Sequence, residues 1–339
     1  MTLPKVSVIV PSYNYAASLH VCLRAIAAQT YPQIEVLVVD DHSTDDSVAV
    51  ARALGVRVIA LPDNGGCGRA RNVGVANTSG EILFFVDADV AMAPDAVAEA
   101  VALLEAEPQV GAVCGIEDPE PLLHDTLVAR YRGLQYHHWS ASGEGNVTFL
   151  FPAMCAIRRR VYAEIGPFNP ALKQTEEVDY GYRLSRRHQL RLTSRVRGRH
   201  DHDHELLPLL RKLFHRARLR IPLYARARRF ATGFETAARA WGSLIATAAL
   251  PALALPVLFG PWWLLVPAAL VAASVAADRE LYALAYRRRG PVFLMFFVAV
   301  HFLVNVTITA GVAAGALQWL VSRPFRQIYD STFPVEATA

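Results

Sequence analysis

The chain has 339 residues, which is enough for one large domain or two smaller ones. Apolar residues make up 53% of it and charged residues 19%, with a net charge of +4 at pH 7, so it is more apolar than an average soluble protein. The four cysteines show no C-x-x-C spacing and all precede the apolar C-terminal runs. This pattern favours reduced structural thiols in a cytosolic domain over a disulfide framework.

Residues 1 to 115 alternate between short β-branched runs, each typical of a strand, and helical patterns. The predicted strands are 6–10, 34–39, 56–61, 82–86 and 110–114. The predicted helices cover about 19–26, 45–54 and 94–107. We expect Ser43 or Asp45 to be the N-cap of the second helix and Gly55 to end it. The alternation predicts an α/β fold with a mostly parallel, Rossmann-like sheet covered by helices on both faces.

Polar side chains follow three of the predicted strands, where ligands bind in such sheets. They are PSYN (11–14), Asp40-Asp41 and Asp87-Ala88-Asp89. Since side chains alternate along a strand, we expect Asp87 and Asp89 to point the same way. Two such carboxylates suit a hard divalent cation, Mg²⁺ or Mn²⁺, and the alternative is a solvated acidic turn.

A glycine-rich stretch, GGCGRARNVG (65–74), lies between Asp40-Asp41 and Asp87-Ala88-Asp89. Its glycines permit close backbone approach, and Arg69 and Arg71 add charge suited to a phosphate. The alternative is a turn with a solvated arginine face. The G-x-G-x-x-G pattern of dinucleotide-binding proteins is absent.

The C-terminal half contains two long apolar runs. No residue from 240 to 277 is charged, and His301 is the only ionisable side chain from 291 to 322. Each run exceeds the about 20 residues that cross a bilayer. We therefore predict a membrane region over 236–322, with spans at about 240–259, 262–277 and 292–321, and the alternative is a set of very apolar core helices.

The orientation follows from flanking charge. The N-terminal VSVIV run is too short for a signal peptide, and arginines precede the first and third predicted spans. These features predict a multi-pass protein of the cytoplasmic membrane with its N-terminal domain in the cytoplasm. The tail, 323–339, is then expected on the opposite side.

Residues 206–235 join the two halves. The segment is basic and has apolar residues at helical spacing, which predicts an interface helix on an anionic membrane surface. We expect Pro222 to break it into two pieces. Nucleic-acid binding is the competing interpretation of so many arginines, but the apolar runs that follow and the lack of a base-stacking module argue against it.

With these residues in view, the chain resembles the family 2 glycosyltransferases of the GT-A fold. The resemblance covers residues 5 to about 200 and places the catalytic domain at 1–205. It is carried, in the family's order, by VSVIVPSYN, VLVVDDHSTDDS, GRARNVG, LFFVDADV and TEEVDYGYRL.

The resemblance implies roles for individual residues in binding a nucleotide-sugar. Asp41 would accept a hydrogen bond from the base, Arg71 would contact the diphosphate, and Asp87 with Asp89 would position the sugar and the metal. The base pocket would be lined by Pro11, Tyr13 and Asn14.

The resemblance also implies a general base in the acidic cluster 176–179. Glu177 takes the position where the family usually has Asp, and Asp179 is the second candidate. A further departure is His42, which replaces a glycine after the acidic pair. Some GT-A enzymes recruit a histidine as an extra metal ligand, so His200 or His202 could complete the cation site, and the alternative is a solvated polar loop.

The function expected from the resemblance is an inverting, metal-dependent hexosyl transfer. The donor would be a UDP- or GDP-linked sugar, and the acceptor would be lipid-linked or membrane-associated. The alternatives are a non-catalytic nucleotide-binding scaffold of a membrane complex and a sugar nucleotidylyltransferase, whose glycine-rich first loop is missing. A processive synthase is disfavoured because the Q-x-x-R-W motif is absent. Residues 116–150 are expected to form an acceptor-side loop with a short helix.

Overall fold

The computed structural model describes residues 3–227 and 237–330. Within these residues, the strands form one mixed sheet. They are β1 (Val6–Ser12), β2 (Ile34–Asp40), β3 (Arg57–Ala60), β4 (Ile82–Val86), β5 (Val90–Met92), β6 (Val110–Glu117), β7 (Gly145–Val147), β8 (Met154–Arg158) and β9 (Gln189–His200). Their order is β3-β2-β1-β4-β8-β6-β9-β5, with β7 paired to β9.

The first four strands in this order are parallel to one another, which confirms the predicted arrangement for β1 to β4. The sheet then continues with pairs that the sequence patterns did not predict. Strand β8 runs antiparallel between β4 and β6, and β5 and β7 are antiparallel to β9. The whole sheet is therefore mixed, and several of the predicted site residues lie at the carboxyl ends of its parallel strands β1, β2 and β4.

Helices cover both faces of the sheet. They are α1 (Ala16–Ala27), α2 (Ser47–Ala53), α3 (Cys67–Ala76), α4 (Ala96–Ala106), α5 (Leu127–Ala141), α6 (Arg159–Ile165) and α7 (Glu176–Ser185). The N-cap prediction for α2 was wrong, because Asp46 occupies that position. The Asp45 carboxylate instead accepts a hydrogen bond from the backbone N–H of Ser47, at 3.0 Å.

The region 116–150 is more ordered than the expected loop with a short helix. It contains the last residues of β6, the four-turn helix α5 and the short strand β7. The side chain of Thr126 caps α5 by accepting a hydrogen bond from the backbone N–H of Ala129. Helix α5 provides the surface on which the C-terminal helices pack.

The C-terminal part of the chain is helical. Its helices are α8 (Leu206–Ala227), α9 (Ala237–Ala252), α10 (Leu255–Phe259), α11 (Leu265–Ala277), α12 (Arg279–Val321) and α13 (Arg323–Arg326). Helix α12 is interrupted at Gly290, where φ is +79° and Pro291 follows. The predicted boundary at residue 205 falls in the loop between β9 and α8. Of the predicted interface segment, residues 228–235 lie outside the described residues.

Helix α8 is continuous, so the predicted break at Pro222 was wrong. Proline removes the hydrogen bond to the carbonyl four residues earlier, which is that of Arg218. This carbonyl faces Gly315 of α12, where a Cβ would lie 2.6 Å from it. One turn earlier, a Cβ on Gly311 would lie 2.6 Å from the carbonyl of Phe214. Two glycines four residues apart therefore let α8 and α12 pack backbone to backbone.

The apolar core joins the two halves of the chain. One face of the sheet packs against α1 and α4 through residues such as Val8 and Phe84. The other face shares a single cluster with the C-terminal helices, which includes Phe85 of β4, Tyr131 of α5 and Phe297 of α12. The C-terminal helices are thus packed on the sheet domain along α5.

The tail returns to the sheet domain. Tyr329 is fully buried, and its hydroxyl donates a hydrogen bond to Oγ1 of Thr175, at 2.8 Å. Directly before the interruption of α12 at Gly290, Arg289 forms an ion pair with Glu120. The expectation that the tail lies across a membrane from the catalytic domain was therefore wrong for residues 323–330. Residues 331–339 lie outside the described part of the chain.

Two helical stretches are long and apolar enough, by length and composition, to cross a membrane. They are Arg239–Phe259 and Arg279–Val321. The second predicted span corresponds to a shorter apolar helix, Pro261–Ala277. Between them, the turn around Gly260 is strongly exposed, with Val257 86% and Trp262 83% accessible.

Candidate active site

The carboxyl end of β2 carries the acid pair that begins the site. Asp41 is buried, and its two carboxylate oxygens accept hydrogen bonds from the backbone N–H groups of Gly65 and Gly66, at 2.9 and 2.7 Å. Gly66 has φ +89°, a backbone conformation that residues other than glycine rarely adopt. Asp41 therefore holds the glycine-rich turn against the end of the parallel sheet.

The loop after β1 lies beside this turn. Pro11 is buried in β1, whereas Tyr13 is 43% exposed. Asn14 has φ +58°, and its side-chain oxygen accepts a hydrogen bond from the backbone N–H of Thr44, at 2.8 Å. His42 has φ +71°, the left-handed region that favours glycine. His42 therefore adopts a backbone conformation typical of the glycine that it replaces, and it adds an imidazole side chain to the loop.

Arg71 lies at the centre of the site. Its guanidinium is 2% exposed and donates to Asp87 Oδ1 at 2.8 Å and to Glu176 Oε1 at 2.9 Å. Burial alone would lower the pKa of Arg71, but the Asp87 carboxylate raises it. One buried cation thus connects the turn after β4 with the first residue of α7.

The acidic cluster begins helix α7, where the helix dipole stabilises negative charge. Burial, followed by the charge of Glu177, raises the pKa of Glu176 to about 7. Glu177 is also buried, and its Oε1 lies 3.4 Å from an Nη of Arg220. Asp179 is fully buried and accepts a hydrogen bond from Nε of Arg183, at 3.0 Å. Arg183 also binds the carbonyls that precede α7, so this pair fastens the helix to its neighbouring loop.

Asp87 and Asp89 do not lie on a strand, which ends at Val86, so the alternation argument does not apply to them. They flank a tight turn that is closed by a hydrogen bond from the N–H of Val90 to the carbonyl of Asp87, at 3.1 Å. The Asp87 carboxylate pairs with Arg71, whereas Asp89 Oδ2 lies 3.2 Å from Nε2 of His200.

A group of three possible metal ligands adjoins Asp89. Glu117, His200 and His202 each offer one ligand atom, and these atoms all lie within 4.8 Å of one another. His202 is 5% exposed and lies 3.2 Å from Glu117, so the alternative of a solvated polar loop does not describe His202. Glu117 was not predicted from the sequence, although it ends strand β6 at the same edge of the sheet as the other acids and the rule for strand ends applies to it.

The electrostatics of this group suit a cation. Burial alone would lower the pKa of His200, but the carboxylates of Glu117 and Asp89 raise it well above its ordinary range. Burial and the neighbouring His200 lower the pKa of His202, which keeps that imidazole neutral. Mg²⁺ and Mn²⁺ both accept carboxylate oxygens as ligands, and Mn²⁺ also accepts imidazole nitrogens. The residues present therefore fit a divalent cation beside Asp89.

Sequence analysis also missed the arginines that face the acids of α7. Arg216 and Arg220 lie one turn apart on α8, and both were assigned to a membrane surface. Arg220 contacts Glu177, and the charges of Glu177 and Glu176 raise the pKa of Arg216 against the opposing effect of burial. The signal that could have revealed them is their spacing, since Lys212, Arg216 and Arg220 follow one another at intervals of four residues.

Comparisons with known proteins agree on the family. Residues 7–166 match the family model "Glycosyl transferase family 2". A PGL/p-HBAD biosynthesis glycosyltransferase of Mycobacterium bovis is 31% identical over 192 residues, which cover 54% of this chain and 70% of that protein. An uncharacterized glycosyltransferase of Rickettsia prowazekii is 29% identical over 194 residues, 54% of this chain and 59% of that protein. The chain thus spans less than two thirds of the Rickettsia relative.

A solved structure extends the likeness to the C-terminal helices. It is the mannosyltransferase PcManGT of Pyrobaculum calidifontis, solved with GDP-Man and Mn²⁺. The match has a TM-score of 0.57 and 23% identity, and it covers 95% of this chain and 89% of that one. It shows a shared GT-A fold that includes the helices after the sheet.

Proposed function

The chain belongs to glycosyl transferase family 2, and we propose that it transfers a sugar from a nucleotide-sugar to an acceptor with inversion at the anomeric carbon. The observation that carries this proposal is the double ion pair of Arg71 with Asp87 and Glu176. It ties the D-x-D turn, with Asp89 and its histidine neighbours, to the helix that carries Glu177. Arg71 thereby holds Asp87, on the side proposed for the donor, close to the helix that carries the candidate base.

In the proposed donor site, the base lies by Asp41 and the loop 11–14. Each Asp41 oxygen has a second lone pair free to accept from a base N–H while it holds the glycine-rich turn. Tyr13 is exposed enough to stack on a ring, and the Asn14 backbone conformation fixes the shape of the loop. PcManGT, which shares the fold, was solved with GDP-Man, and a UDP- or GDP-linked sugar is the donor class that we propose here.

The proposed cation site consists of Asp89 and His200, with Glu117 and His202 next to them. A divalent cation, Mg²⁺ or Mn²⁺, would neutralise charge on the departing diphosphate when bound. Asp87 is held by Arg71 and would orient the sugar from the same turn. Arg71 is buried and paired on both sides, so its effect on the diphosphate would act through the placement of Asp87.

Glu177 is the proposed general base, which removes the proton of an acceptor hydroxyl as that oxygen attacks the anomeric carbon. Arg220 lies 3.4 Å from this carboxylate and would orient it in the site. Asp179, the second candidate, is held by Arg183 in a structural ion pair. Asp179 is fully buried whereas Glu177 keeps 7% of its surface exposed, and this difference favours Glu177.

We also propose that the protein associates with the cytoplasmic membrane and acts on a lipid-linked or membrane-associated acceptor. The support is the apolar exposed surface around Gly260 and on the outer side of α12, such as Val292 and Val321 at 81% and 85%. Since Arg289, directly before the second half of α12, and Tyr329, beyond its end, both contact the sheet domain, we infer that this second half lies along that domain. The hairpin α9–α11 would then enter the bilayer, as tryptophans at its tip suggest.

Release of UDP or GDP from a panel of nucleotide-sugars, measured with the full chain in detergent and with or without Mn²⁺, tests the proposed function. We expect manganese-dependent release from at least one donor. Binding of nucleotide without any release would favour the scaffold, and release of pyrophosphate from a nucleoside triphosphate and a sugar phosphate would favour a nucleotidylyltransferase. Either result would overturn the proposal.

A further inference from the structure

One face of α8 carries basic residues at every fourth position. Lys212, Arg216 and Arg220 are separated by one helical turn each, so their side chains leave the helix on the same side. We call these three residues the α8 basic stripe. The stripe faces the catalytic acids, which is unexpected for a helix with the composition of a membrane-surface segment.

The two ends of the stripe have acidic partners. Nζ of Lys212 lies 3.1 and 3.2 Å from the two carboxylate oxygens of Asp203. Arg220 lies 3.4 Å from Glu177 and is 13% exposed. These contacts fix the stripe between the loop after β9 and the start of α7.

The middle residue, Arg216, has no such partner. In the part of the chain that the structure describes, its guanidinium forms no hydrogen bond or ion pair, and its Nε is buried without an acceptor. The carboxylates of Glu177 and Glu176 act on it only as nearby charges. Arg216 is half-buried, and a positive charge held in a partly desolvated site without a hydrogen-bonded partner is suited to a ligand that supplies the acceptor atoms.

The chemistry of that ligand follows from the guanidinium. Arginine presents a planar fork of N–H donors that matches the oxygens of a phosphate group, and the lysine and arginine on either side add positive charge. A neutral saccharide would leave the Arg216 guanidinium without a charged acceptor. The stripe therefore fits an anionic phosphate or diphosphate group.

The position of α8 distinguishes two sources of such a group. One is the donor diphosphate, which in the proposed function lies by Asp89. The other is a phosphate on the acceptor. Arg216 lies one turn from Arg220, which is 3.4 Å from the proposed base Glu177, so a phosphate held by Arg216 lies on the acceptor side of the site. The opposite face of α8 packs against the apolar helix α12 at Gly311 and Gly315, which places this helix next to the apolar C-terminal region. This position fits the head group of a phosphorylated lipid.

We propose that Arg216, flanked by Lys212 and Arg220, binds the phosphate group of a lipid-like acceptor beside Glu177. This proposal rests on the proposed function and names its acceptor class. It requires no change in the donor site.

The test uses the full chain in dodecyl maltoside micelles, with dodecyl phosphate as the probe and dodecyl alcohol as the uncharged comparison. Calorimetric titration is carried out on the wild type, on Arg216→Gln and on Arg211→Gln. Arg211 is exposed on the same helix, so its variant has the same loss of charge. The affinity for Mn²⁺ with UDP or GDP is measured in parallel.

We expect dodecyl phosphate to bind about 10-fold more weakly to Arg216→Gln than to the wild type, because a charge-assisted pair of hydrogen bonds is lost. Arg211→Gln should stay within about 2-fold of the wild type. If Arg216→Gln does not fold, Arg216→Lys replaces it, with an expected weakening of about 3-fold because the charge stays but the fork is lost.

Equal affinity of all three proteins for dodecyl phosphate, or no preference of the wild type over dodecyl alcohol, would overturn the proposal. A loss confined to UDP or GDP binding would assign Arg216 to the donor and would also overturn it. These outcomes differ from a failure of the proposed function, which would appear as wild-type protein that releases no nucleoside diphosphate.

Discussion

The hydroxyl of Tyr329 donates a hydrogen bond to Oγ1 of Thr175, the residue that precedes the two glutamates of the candidate active site. The same hydroxyl lies 3.1 Å from the carbonyl of Leu219 in α8. One buried phenol thus connects the C-terminal segment, the helix that carries the basic stripe and the start of α7. The segment after the apolar helices is therefore part of the site's framework.

Replacement of this hydroxyl should weaken the framework. We expect Tyr329→Phe to lower the free energy of unfolding by about 1 kcal/mol, because buried Thr175 loses a hydrogen-bond partner. Chemical denaturation in detergent measures this change. Tyr286→Phe is the control, since Tyr286 is 54% exposed, and an equal loss in both variants would contradict the prediction.

Removal of Arg71 should be more damaging. Arg71→Met leaves Asp87 and Glu176 without their shared cation, and breaking a buried pair in this way costs about 3–5 kcal/mol. We expect a corresponding loss in the free energy of unfolding. Arg69→Met removes an exposed ion pair with Asp63 and should cost less than about 1 kcal/mol. Similar costs for the two variants would show that Arg71 is not structurally central.

Loss of the proposed base should affect turnover and not donor binding. We expect Glu177→Gln to lower kcat by about 100-fold or more, because general-base catalysis contributes at least that factor, while the Kd for UDP or GDP changes less than about 3-fold. Glu164→Gln, at an exposed surface pair with His188, is the matched control. Turnover at the wild-type rate in Glu177→Gln would remove this residue from the mechanism.

Manganese binding should depend on Asp89 and His200. Calorimetry with Mn²⁺ and UDP or GDP is expected to show affinity at least about 10-fold weaker in Asp89→Asn and in His200→Ala. His124→Ala removes an exposed histidine that also pairs with an aspartate, and it should bind as the wild type does. Full manganese affinity in both Asp89→Asn and His200→Ala would place the cation elsewhere.

The pH dependence of stability should reflect Glu35, on the β2 strand. Burial alone would raise its pKa, but hydrogen bonds from Lys5, Ser79 and others lower it to about 2 from an ordinary value of 4.5. Because the folded-state pKa is lowered, the stabilisation is fully present above about pH 4.5 and is lost as the pH falls towards about 2.

Glu35→Gln should therefore lower the free energy of unfolding by about 1–2 kcal/mol at pH 7 and have a smaller effect near pH 3. Chemical denaturation at the two pH values measures the difference. Glu81→Gln, at an exposed glutamate, is expected to leave that difference unchanged. An effect of Glu35→Gln that is equal at both pH values would exclude this origin of the stabilisation.

Local sequence patterns determined strands β1 to β4 and β6 of the sheet domain and several of the candidate residues. Strands β1 to β4 follow from β-branched runs, and the acids at 41, 87 and 89 follow from the rule that ligands bind at the carboxyl ends of parallel strands. The physical reason is that strand formation, turn formation and the alternation of polar and apolar residues depend on neighbours in sequence.

Only the tertiary structure decided which of these side chains lie in contact and which face of α8 points towards the acids of α7. Arg71 connects Asp87 with Glu176, which follows Arg71 by 105 residues in sequence. Glu117 contacts two histidines that follow it by more than 80 residues. The basic stripe of α8 faces acids, and Tyr329 returns to Thr175. Such pairings depend on the packing of elements that are far apart in sequence. A buried charge needs a partner close to it in space, and the spacing of residues along the sequence does not reveal which residue that partner is.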